Sequence, residues 1–424
     1  MSRTIGFGLE RAALAVVAAA VSLSLNCRAR NDDGYVFEPQ PRPLLAQAGF
    51  APSRSARVGV SWITSGAVYL LAVLGEGDET RLTLIMSEDG GDSVGPPVPV
   101  SENGKRVSSQ GENSPALLVT PEQICAAWTE GGDLLFARSL SWGESFEKPL
   151  KIADKSSNTF SGYPSIGVAP DGSVYAVWID TRDQITDSDD NYAVYLVRSG
   201  DRGASFGKNV RVASRICPCC RPTLAFGARG EVLVFWRHIF PGSIHDMAVA
   251  VSTDGGKTFT PAKRIAEDNW KIDGCPDSGP AAVRSGNRIY VAWLTEASTR
   301  ISGVRMTWSD DAGGTWAAPV LASQGVLDAN YPSLSVADDG RVLLSFQGRD
   351  PDKKGGWDKT GVHLVEIRAD GRPGPPVAIP GMQSSAARPT VAAGTGGRVH
   401  IVWTGTHEGK PAVFLSRARR RTGV

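Results

Sequence analysis

One pattern recurs six times along this chain and restricts it to a small set of folds. Each copy has a proline, a short apolar segment, a tight turn that usually contains glycine, and a second apolar segment that ends in an aromatic residue. The closing aromatics are spaced by 50, 58, 57, 53 and 57 residues, and they are Trp128, Trp178, Trp236, Trp293, Phe346 and Trp403. A near-constant period of this length is typical of a repeat architecture in which neighbouring units stack.

Each unit continues with a third alternating segment, as at 192–199 and 247–253, and then with a tight turn and a short fourth segment. Four short antiparallel strands per period of about fifty residues are typical of a propeller blade. A weaker unit at 57–86 precedes the six, so we predict an all-β β-propeller with seven blades, or six if this first unit is irregular. The last unit lacks a clear fourth strand, and an N-terminal strand is expected to complete it and close the ring.

The composition agrees with many turns and short strands. The 424 residues include 48 Gly, 27 Pro and 11 Trp, and 41% of the chain is hydrophobic, which excludes wholesale disorder. Because 45 basic residues balance 44 acidic ones to a net charge of +1, no nucleic-acid partner is expected. Oligomeric state is not predicted.

The N-terminus has the pattern of an export signal. Basic residues precede an apolar run at 12–25 that is shorter than a membrane span. We predict a signal peptide at 1–27, a linker at 28–50 and the propeller at 51–424. Cys27 directly follows the apolar run, and whether it is lipidated is left open. The expected location is therefore the periplasm, the outer membrane as a lipoprotein, or the medium, with membrane contact only through the lipid.

The first residue of each predicted innermost strand should face the propeller axis. These positions hold Ser114, Tyr163, Arg221, Gly279, Tyr331 and Arg388. Two tyrosines and two arginines in one ring predict a polar funnel, which is either a water-filled channel or a site for a ligand. A guanidinium group matches a carboxylate because its donors form a planar fork.

The turns between the third and fourth strands share a second motif. They read SEDGGDSV (87–94), SLSWGESF (139–146), SGDRGASF (199–206), STDGGKTF (252–259) and SDDAGGTW (309–316). Serine and aspartate side chains bond their own backbone in such turns, and glycine supplies the positive φ. The motif resembles the Asp-box of the sialidase superfamily and related repeat propellers.

The resemblance implies a sialidase-like propeller in which the Asp-box aspartates are structural. Glycosidases of the superfamily use three arginines on the substrate carboxylate, a tyrosine nucleophile with a glutamate partner, and an aspartate acid. Here it implies Tyr331 as nucleophile, with Tyr163 as the equivalent tyrosine, Asp246 as acid, and Arg221 and Arg388 on the carboxylate. Asp180 is a rival acid. A third arginine and a glutamate partner have no clear counterpart in this sequence, since Glu112 and Glu267 are only near neighbours in the preceding loops.

Four cysteines occupy equivalent loops of adjacent units. Cys217, Cys219 and Cys220 precede one innermost strand and Cys275 precedes the next, so the repeat should bring them together near the funnel. Three interpretations remain open: two disulfides, which are the default in an exported protein; a zinc or soft-metal site; and a redox-active thiol pair. A bridge from the 217–220 turn to Cys275 is favoured, and no other cofactor is predicted.

The leading functional prediction is an exported sialidase-like propeller that acts on or binds glycans, with an acidic sugar as the expected partner and hydrolysis of sialosides as its enzymatic form. The alternatives are a non-catalytic envelope binding propeller and a metal- or redox-linked envelope protein built on the four cysteines.

Overall fold

A computed structural model describes residues 34–44, 52–60, 67–75, 80–102, 106–155, 159–186, 191–297, 301–351, 360–382 and 386–421. The predicted signal peptide and Cys27 lie outside these residues. Within the described ranges, helical structure is a single 3₁₀ turn at Thr395–Gly397, and no helix is long and apolar enough to cross a membrane.

The chain forms seven antiparallel sheets, as the repeat predicts, rather than six. The strands of the N-terminal segment and blades 1 to 3 are β1 (Tyr35–Phe37), β2 (Arg42–Pro43), β3 (Pro52–Val60), β4 (Val68–Leu74), β5 (Arg81–Ser87), β6 (Val98–Pro99), β7 (Ala116–Val119), β8 (Ile124–Glu130), β9 (Asp133–Ser139), β10 (Leu150–Lys151), β11 (Ser161–Val168), β12 (Val174–Asp180), β13 (Ala193–Ser199) and β14 (Val210–Ser214). Those of blades 4 to 7 are β15 (Thr223–Phe226), β16 (Val232–Phe240), β17 (Ile244–Ser252), β18 (Lys263–Arg264), β19 (Ala281–Ser285), β20 (Arg288–Thr295), β21 (Gly303–Ser309), β22 (Val320–Leu321), β23 (Leu327–Val336), β24 (Val342–Arg349), β25 (Gly361–Ile367), β26 (Val377–Ala378), β27 (Ala387–Ala393), β28 (Arg398–His407) and β29 (Lys410–Arg420).

Blades 1 to 6 each take four consecutive strands from β3 to β26, and blade 7 combines both ends of the chain. Its β29 pairs with β1, which places Tyr35 opposite Arg420, and also with β2. The prediction that an N-terminal strand closes the ring is confirmed. Part of the segment interpreted as a linker is thus built into the last blade, where its backbone groups cover a sheet edge.

The core is divided into seven apolar clusters, one between each pair of adjacent blades and one between blades 7 and 1. The six aromatics near the ends of the second strands belong to these clusters, and each is at most 1% exposed. Each indole N–H in blades 2 and 3 also has an acceptor two residues later, since Trp128 donates to Glu130 and Trp178 to Asp180. The period in the sequence is therefore a packing period.

The turns between the third and fourth strands follow one hydrogen-bonding scheme. In blade 4, the Ser252 hydroxyl donates to Asp254 at 2.7 Å and accepts the Gly256 N–H at 2.8 Å, while Asp254 accepts from both the backbone and the hydroxyl of Thr258. Gly255 and Gly256 have φ values of 76° and 85°, and a Cβ at Gly256 would come within 3.2 Å of Tyr175 in the preceding blade. These turns thus pack one blade on the next, away from the axis.

Candidate functional site

One end of the axis holds a polar pocket to which six successive blades contribute one residue each. They are Glu112, Tyr163, Arg221, Asp277, Tyr331 and Arg388, from blades 2 to 7 in order, and we call them the axial set. Four of them, Glu112, Arg221, Tyr331 and Arg388, line a cavity of about 240 Å³ directly. Tyr163 and Asp277 interact with this group from its edge.

The backbone turns three of these side chains toward the axis in the same way. Tyr163, Tyr331 and Arg388 have φ values of 60°, 53° and 52°, and each is followed by a proline in an innermost strand. At each position the pairing of that strand with its neighbour is interrupted by a register shift. A left-handed conformation is costly for residues other than glycine and is retained where surrounding structure enforces it, often at functional sites.

Arg388 joins three blades at the pocket. Its guanidinium donates to the Asp277 carboxylate at 3.0 Å and to the Tyr331 hydroxyl at 3.3 Å, and it lies 4.8 Å from the centre of the Tyr331 ring. Its Nε is buried and has no hydrogen-bond partner within the described structure. One donor of Arg388 is therefore unused within the described residues.

Arg221 has a different environment, although both arginines occur in an Arg-Pro-Thr sequence. Its guanidinium donates to the Glu112 carbonyl at 2.9 Å and 2.6 Å and to the hydroxyl and carbonyl of Ser114. Gly279 lies against the Arg221 backbone so closely that a Cβ would overlap the Arg221 carbonyl oxygen. The guanidinium of Arg221 thus ties blade 4 to blade 2 at the wall of the pocket.

The two tyrosines are held as neutral phenols. Burial, together with the nearby carboxylates of Asp277 and Glu112, raises the pKa of Tyr163 to about 12. Burial likewise raises the pKa of Tyr331 to about 12, and the adjacent Arg388 cation only partly opposes it. Either hydroxyl can therefore donate or accept a hydrogen bond at neutral pH without carrying charge.

A second, more apolar cavity of about 660 Å³ continues along the axis below the pocket. The two cavities share the lining residues Leu117, Ile166, Ala282 and Leu334. The polar pocket is thus the mouth of a channel whose deeper walls are mainly, but not wholly, apolar.

Asp246, the acid implied by the resemblance, is placed elsewhere in blade 4. Its fully buried carboxylate accepts the backbone N–H groups of Asn269 and Trp270 at 2.9 and 3.1 Å and lies 3.5 Å from Arg264. Burial raises the pKa of Asp246. This side chain holds the outer loop of its own blade, so the structure does not bring it to Tyr331.

Asp180, the rival acid, is also an internal structural group. Its carboxylate accepts from Ser161 and from the Trp178 indole, each at 2.7 Å, and pairs with Arg182 at 2.9 Å. These donors outweigh burial and lower the pKa of Asp180.

The four clustered cysteines do converge beside the pocket. Cys219 and Cys275 form a disulfide with a Cα–Cα distance of 6.3 Å, which links the loops that lead to Arg221 and Asp277. Cys217 and Cys220 are buried thiols, and Cys125 is a third one inside β8. Burial raises the pKa of Cys125 to about 12, so that thiol is an apolar core group.

No protein-family profile matches the sequence, and no curated protein matches it. Solved structures do match. A Dyadobacter fermentans protein of unknown function is 14% identical, with a TM-score of 0.56, over 92% of this chain and 100% of that one. An ulvan lyase, described as a new family of polysaccharide lyase, is 13% identical, with a TM-score of 0.52, over 74% of this chain and 82% of that one.

The Trypanosoma rangeli sialidase is 11% identical, with a TM-score of 0.50, over 91% of this chain and 59% of that one. The likeness is one of fold. At these identities it places the chain among propellers of this architecture and assigns no activity.

The sequence indicated Glu112 only as a near neighbour of the axis-facing positions, and Asp277 was not predicted at all. The Asp277 carboxylate accepts the Glu112 N–H at 3.2 Å and the Glu112 carboxylate accepts the Gly279 N–H at 3.4 Å, so the two loops are joined across the axis. Both acids lie two residues before a predicted axis-facing position, Ser114 or Gly279. That shared offset was the available signal.

Proposed function

We propose that the axial pocket binds a sugar residue of a glycan and that the protein recognises or processes glycans outside the cytoplasm. The observation that supports this most is the group formed by Arg388, Tyr331 and Asp277. It offers a charged donor, a neutral hydroxyl and an aromatic face on the wall of one small cavity, with a carboxylate acceptor at its edge. Sugars are bound by such convergent polar groups around a preformed concave site.

The size of the cavity favours one sugar residue rather than a long chain segment. At about 240 Å³ it is below the usual range for drug-sized ligands, roughly 300–1,000 Å³. Several proteins of similar fold are named for glycans, including the ulvan lyase and an arabinanase from Penicillium chrysogenum solved with arabinobiose. This analogy of fold raises the expectation of a glycan ligand. The polar and aromatic groups of the axial set are the specific reason to expect that a sugar binds in this pocket.

An acidic sugar is the preferred ligand class within this proposal. Arg388 has an unused buried N–H and an ion pair with Asp277 that a ligand carboxylate can replace. Arg221 contributes less to such binding because its guanidinium already donates to Glu112 and Ser114. Recognition of the carboxylate would therefore depend on one arginine. We expect a lower affinity than that of a site with three arginines, as in sialidases.

Hydrolysis is the second candidate, and the surroundings of Tyr331 favour it. Its hydroxyl lies 3.3 Å from the Arg388 guanidinium, and the negative charges of Asp277 and Glu112 are near enough to raise its pKa. A tyrosine nucleophile needs a base to take its proton. In this form of the proposal, Asp277 or Glu112 is the base, a role for which the sequence resemblance gave no clear candidate.

Export is part of the same proposal. A disulfide such as Cys219–Cys275 persists in oxidising compartments and is rare in the cytosol. It therefore supports the periplasm, the cell surface or the medium as the location, in agreement with the N-terminal pattern.

The test measures binding and turnover in the same preparation. The wild-type chain is titrated by calorimetry with sialic acid, a hexuronic acid and their neutral counterparts, and is incubated with a fluorogenic sialoside. We expect Arg388→Ala to weaken binding of the acidic sugar at least tenfold and Arg368→Ala, which changes an exposed arginine, to leave it unchanged.

The tyrosine variants separate recognition from hydrolysis. If the protein only binds, Tyr331→Phe changes affinity by a few fold and no fluorophore is released. If it hydrolyses, Tyr331→Phe abolishes release while Tyr69→Phe, which changes a buried tyrosine of blade 1, does not. Absence of binding to any sugar, with the fold intact, would overturn the proposal.

A further inference from the structure

Four sulfur atoms meet outside the axial pocket, where the loop before β15 faces the loop before β19. The Cys217 and Cys220 sulfurs are 3.4 Å apart, Cys217 is 3.7 Å from Cys219, and Cys219 is 4.0 Å from Cys220. Cys219 is at the same time bonded to Cys275. A dithiol and a disulfide are therefore in direct contact.

The two pairs differ in their access to solvent. Cys217 and Cys220 are each 1% exposed, whereas Cys275 is exposed and Cys219 is partly exposed. A partner molecule can thus reach the disulfide but not the dithiol. Any exchange between the buried thiols and the outside must pass through Cys219.

The surroundings of Cys217 favour its thiolate, which is the attacking species in disulfide exchange. It receives a hydrogen bond from Cys220, and this bond, together with the nearby His245 side chain and Arg237 cation, lowers its pKa. Burial and the neighbouring Cys217 raise the pKa of Cys220 instead. The opposite shifts distinguish the two thiols: Cys217 is suited to attack a disulfide first, and Cys220 to act second as the resolving cysteine.

A buried cation, Arg237, also favours the thiolate form of Cys217. The Arg237 guanidinium is 1% exposed and donates to the carbonyls of His245, Ser278 and Leu294. Its Nε has no hydrogen-bond partner within the described structure, and its charge acts on Cys217. A buried positive charge stabilises a nearby anion more strongly than one in water.

We infer that this cluster is a thiol–disulfide exchange site that transfers a bridge between its exposed and buried cysteines. In the first step the Cys217 thiolate attacks the Cys219 sulfur, the Cys219–Cys275 bond breaks, and Cys275 leaves as a thiolate that takes a proton from solvent. In the second step the Cys220 sulfur attacks the Cys217 sulfur, the Cys217–Cys219 bond breaks, and Cys219 leaves as a thiolate that takes up the proton released by Cys220.

The two steps convert a Cys219–Cys275 bridge and two buried thiols into a Cys217–Cys220 bridge and two accessible thiols. One disulfide is broken and one is formed, so no outside oxidant or reductant is consumed. The accessible dithiol then passes two electrons to the disulfide of a partner, which is released as two thiols while Cys219 and Cys275 are joined again. The partner class is a protein or small-molecule disulfide.

The experiment follows cysteine pairing in the full chain. The protein is purified without reductant, quenched in acid, alkylated and mapped by mass spectrometry, before and after oxidised glutathione is added as the partner disulfide. We expect both bridge isomers at the start, and release of two glutathione molecules per chain as the second bridge forms.

Two variants and one control identify the relay. Cys217→Ser should slow glutathione release at least tenfold and retain only the Cys219–Cys275 bridge. Cys125→Ala, which removes a thiol remote from the cluster, should react as the wild type does. Should Cys217→Ser fail to fold, Cys275→Ser tests the same step at an exposed position, because glutathione attached to Cys219 should be displaced to give a Cys217–Cys219 bridge.

Three results would overturn the inference. The purified wild type could contain both bridges permanently, with no cluster thiol that reacts. It could contain a stoichiometric metal, measured by elemental analysis, that protects all four cysteines from alkylation. Wild type and Cys217→Ser could also react at equal rates. Each result leaves the glycan proposal unaffected, since that rests on the axial set.

Discussion

The guanidinium of Arg388 and the carboxylate of Asp277 meet at 3.0 Å, although 111 residues and a complete blade separate them. Their side chains are 19% and 35% exposed, so the pair is partly screened by solvent at the mouth of the channel. The ion pair keeps the Arg388 guanidinium oriented at the pocket, and in the proposed function a ligand carboxylate would replace Asp277 there.

Neutralising the internal competitor should improve recognition of an acidic sugar. Asp277→Asn removes the carboxylate that occupies Arg388, so a ligand carboxylate no longer has to displace it. We expect a severalfold lower dissociation constant for the acidic sugar and no gain for its neutral counterpart, both by calorimetry. Equal changes for the two ligands would show that Asp277 acts on the fold or on the sugar hydroxyls instead.

A methyl group at position 279 should disturb the pocket from below. The Cβ of Gly279→Ala would overlap the Arg221 carbonyl, and relief requires the two loops to separate. Forced overpacking of this type costs about 1–3 kcal/mol. Thermal unfolding should report the loss, whereas Gly200→Ala, whose Cβ meets nothing within 4 Å, should unfold as the wild type does. Equal midpoints for both variants would contradict the close approach.

Acid should weaken the blade turns. Hydrogen bonds from Thr258 and Ser252 hold the pKa of Asp254 well below its usual range. A carboxyl whose pKa is lower in the folded state stabilises that state above its unfolded pKa, near 4, and this contribution is lost as the pH falls further. Asp254→Ala should therefore lower the unfolding midpoint at pH 7, and the difference from wild type should shrink in acid.

The turn of blade 2 at 139–146 allows the opposite substitution, which introduces an aspartate instead of removing one. Ser141 stands where the other turns have aspartate, and it already accepts the Ser145 N–H at 3.1 Å. Ser141→Asp should raise the unfolding midpoint at pH 7 and lose that advantage below pH 4. A midpoint that is insensitive to either change would show that these turns contribute little to stability.

The strand that closes the ring should be sensitive to alkali. Tyr35 is 2% exposed, and its hydroxyl donates to Glu366 at 2.6 Å. Burial and this neighbouring carboxylate raise the pKa of Tyr35 well above its usual range. A phenol whose pKa is raised in the folded state stabilises it below the unfolded pKa, near 10, and the contribution disappears as the pH rises beyond that value.

Tyr35→Phe should accordingly cost about 1 kcal/mol at neutral pH, the value of one hydrogen bond. Above pH 10 its stability should fall less steeply than that of wild type, as measured by denaturant unfolding at each pH. Parallel curves for the two proteins would place the alkaline transition at other tyrosines.

Six of the seven blades were predictable because each buries an aromatic at the same position of its second strand. Among the described residues, the interface between blades 7 and 1 has no such aromatic, so blade 1 could be predicted only from its strand pattern. Trp128, Trp178 and their counterparts occupy the same position in successive blades, so packing imposes the period on the sequence. Ring closure by the N-terminal strand followed from the missing fourth strand of the last unit.

The axial chemistry was only partly predictable because it depends on contacts between loops of different blades. Arg221 and Arg388 look equivalent in sequence, yet only Arg388 adopts the left-handed backbone, while carbonyls of Glu112 and Ser114 hold Arg221. Asp246 was predicted as an acid from its place before a third strand. In the structure, β17 begins two residues earlier and the 269–270 backbone takes its carboxylate.

Pairing of Tyr35–Phe37 with Lys410–Arg420 also imposes an order on assembly. In a chain made from its N-terminus, the segment that completes the last blade emerges first and its partner emerges almost last. Until then, growing intermediates have open sheet edges at both ends, which other chains can pair with. Removal of the final ten residues should therefore reduce solubility as much as removal of the first strand. A chaperone that covers the unpaired N-terminal strand would act before the propeller closes.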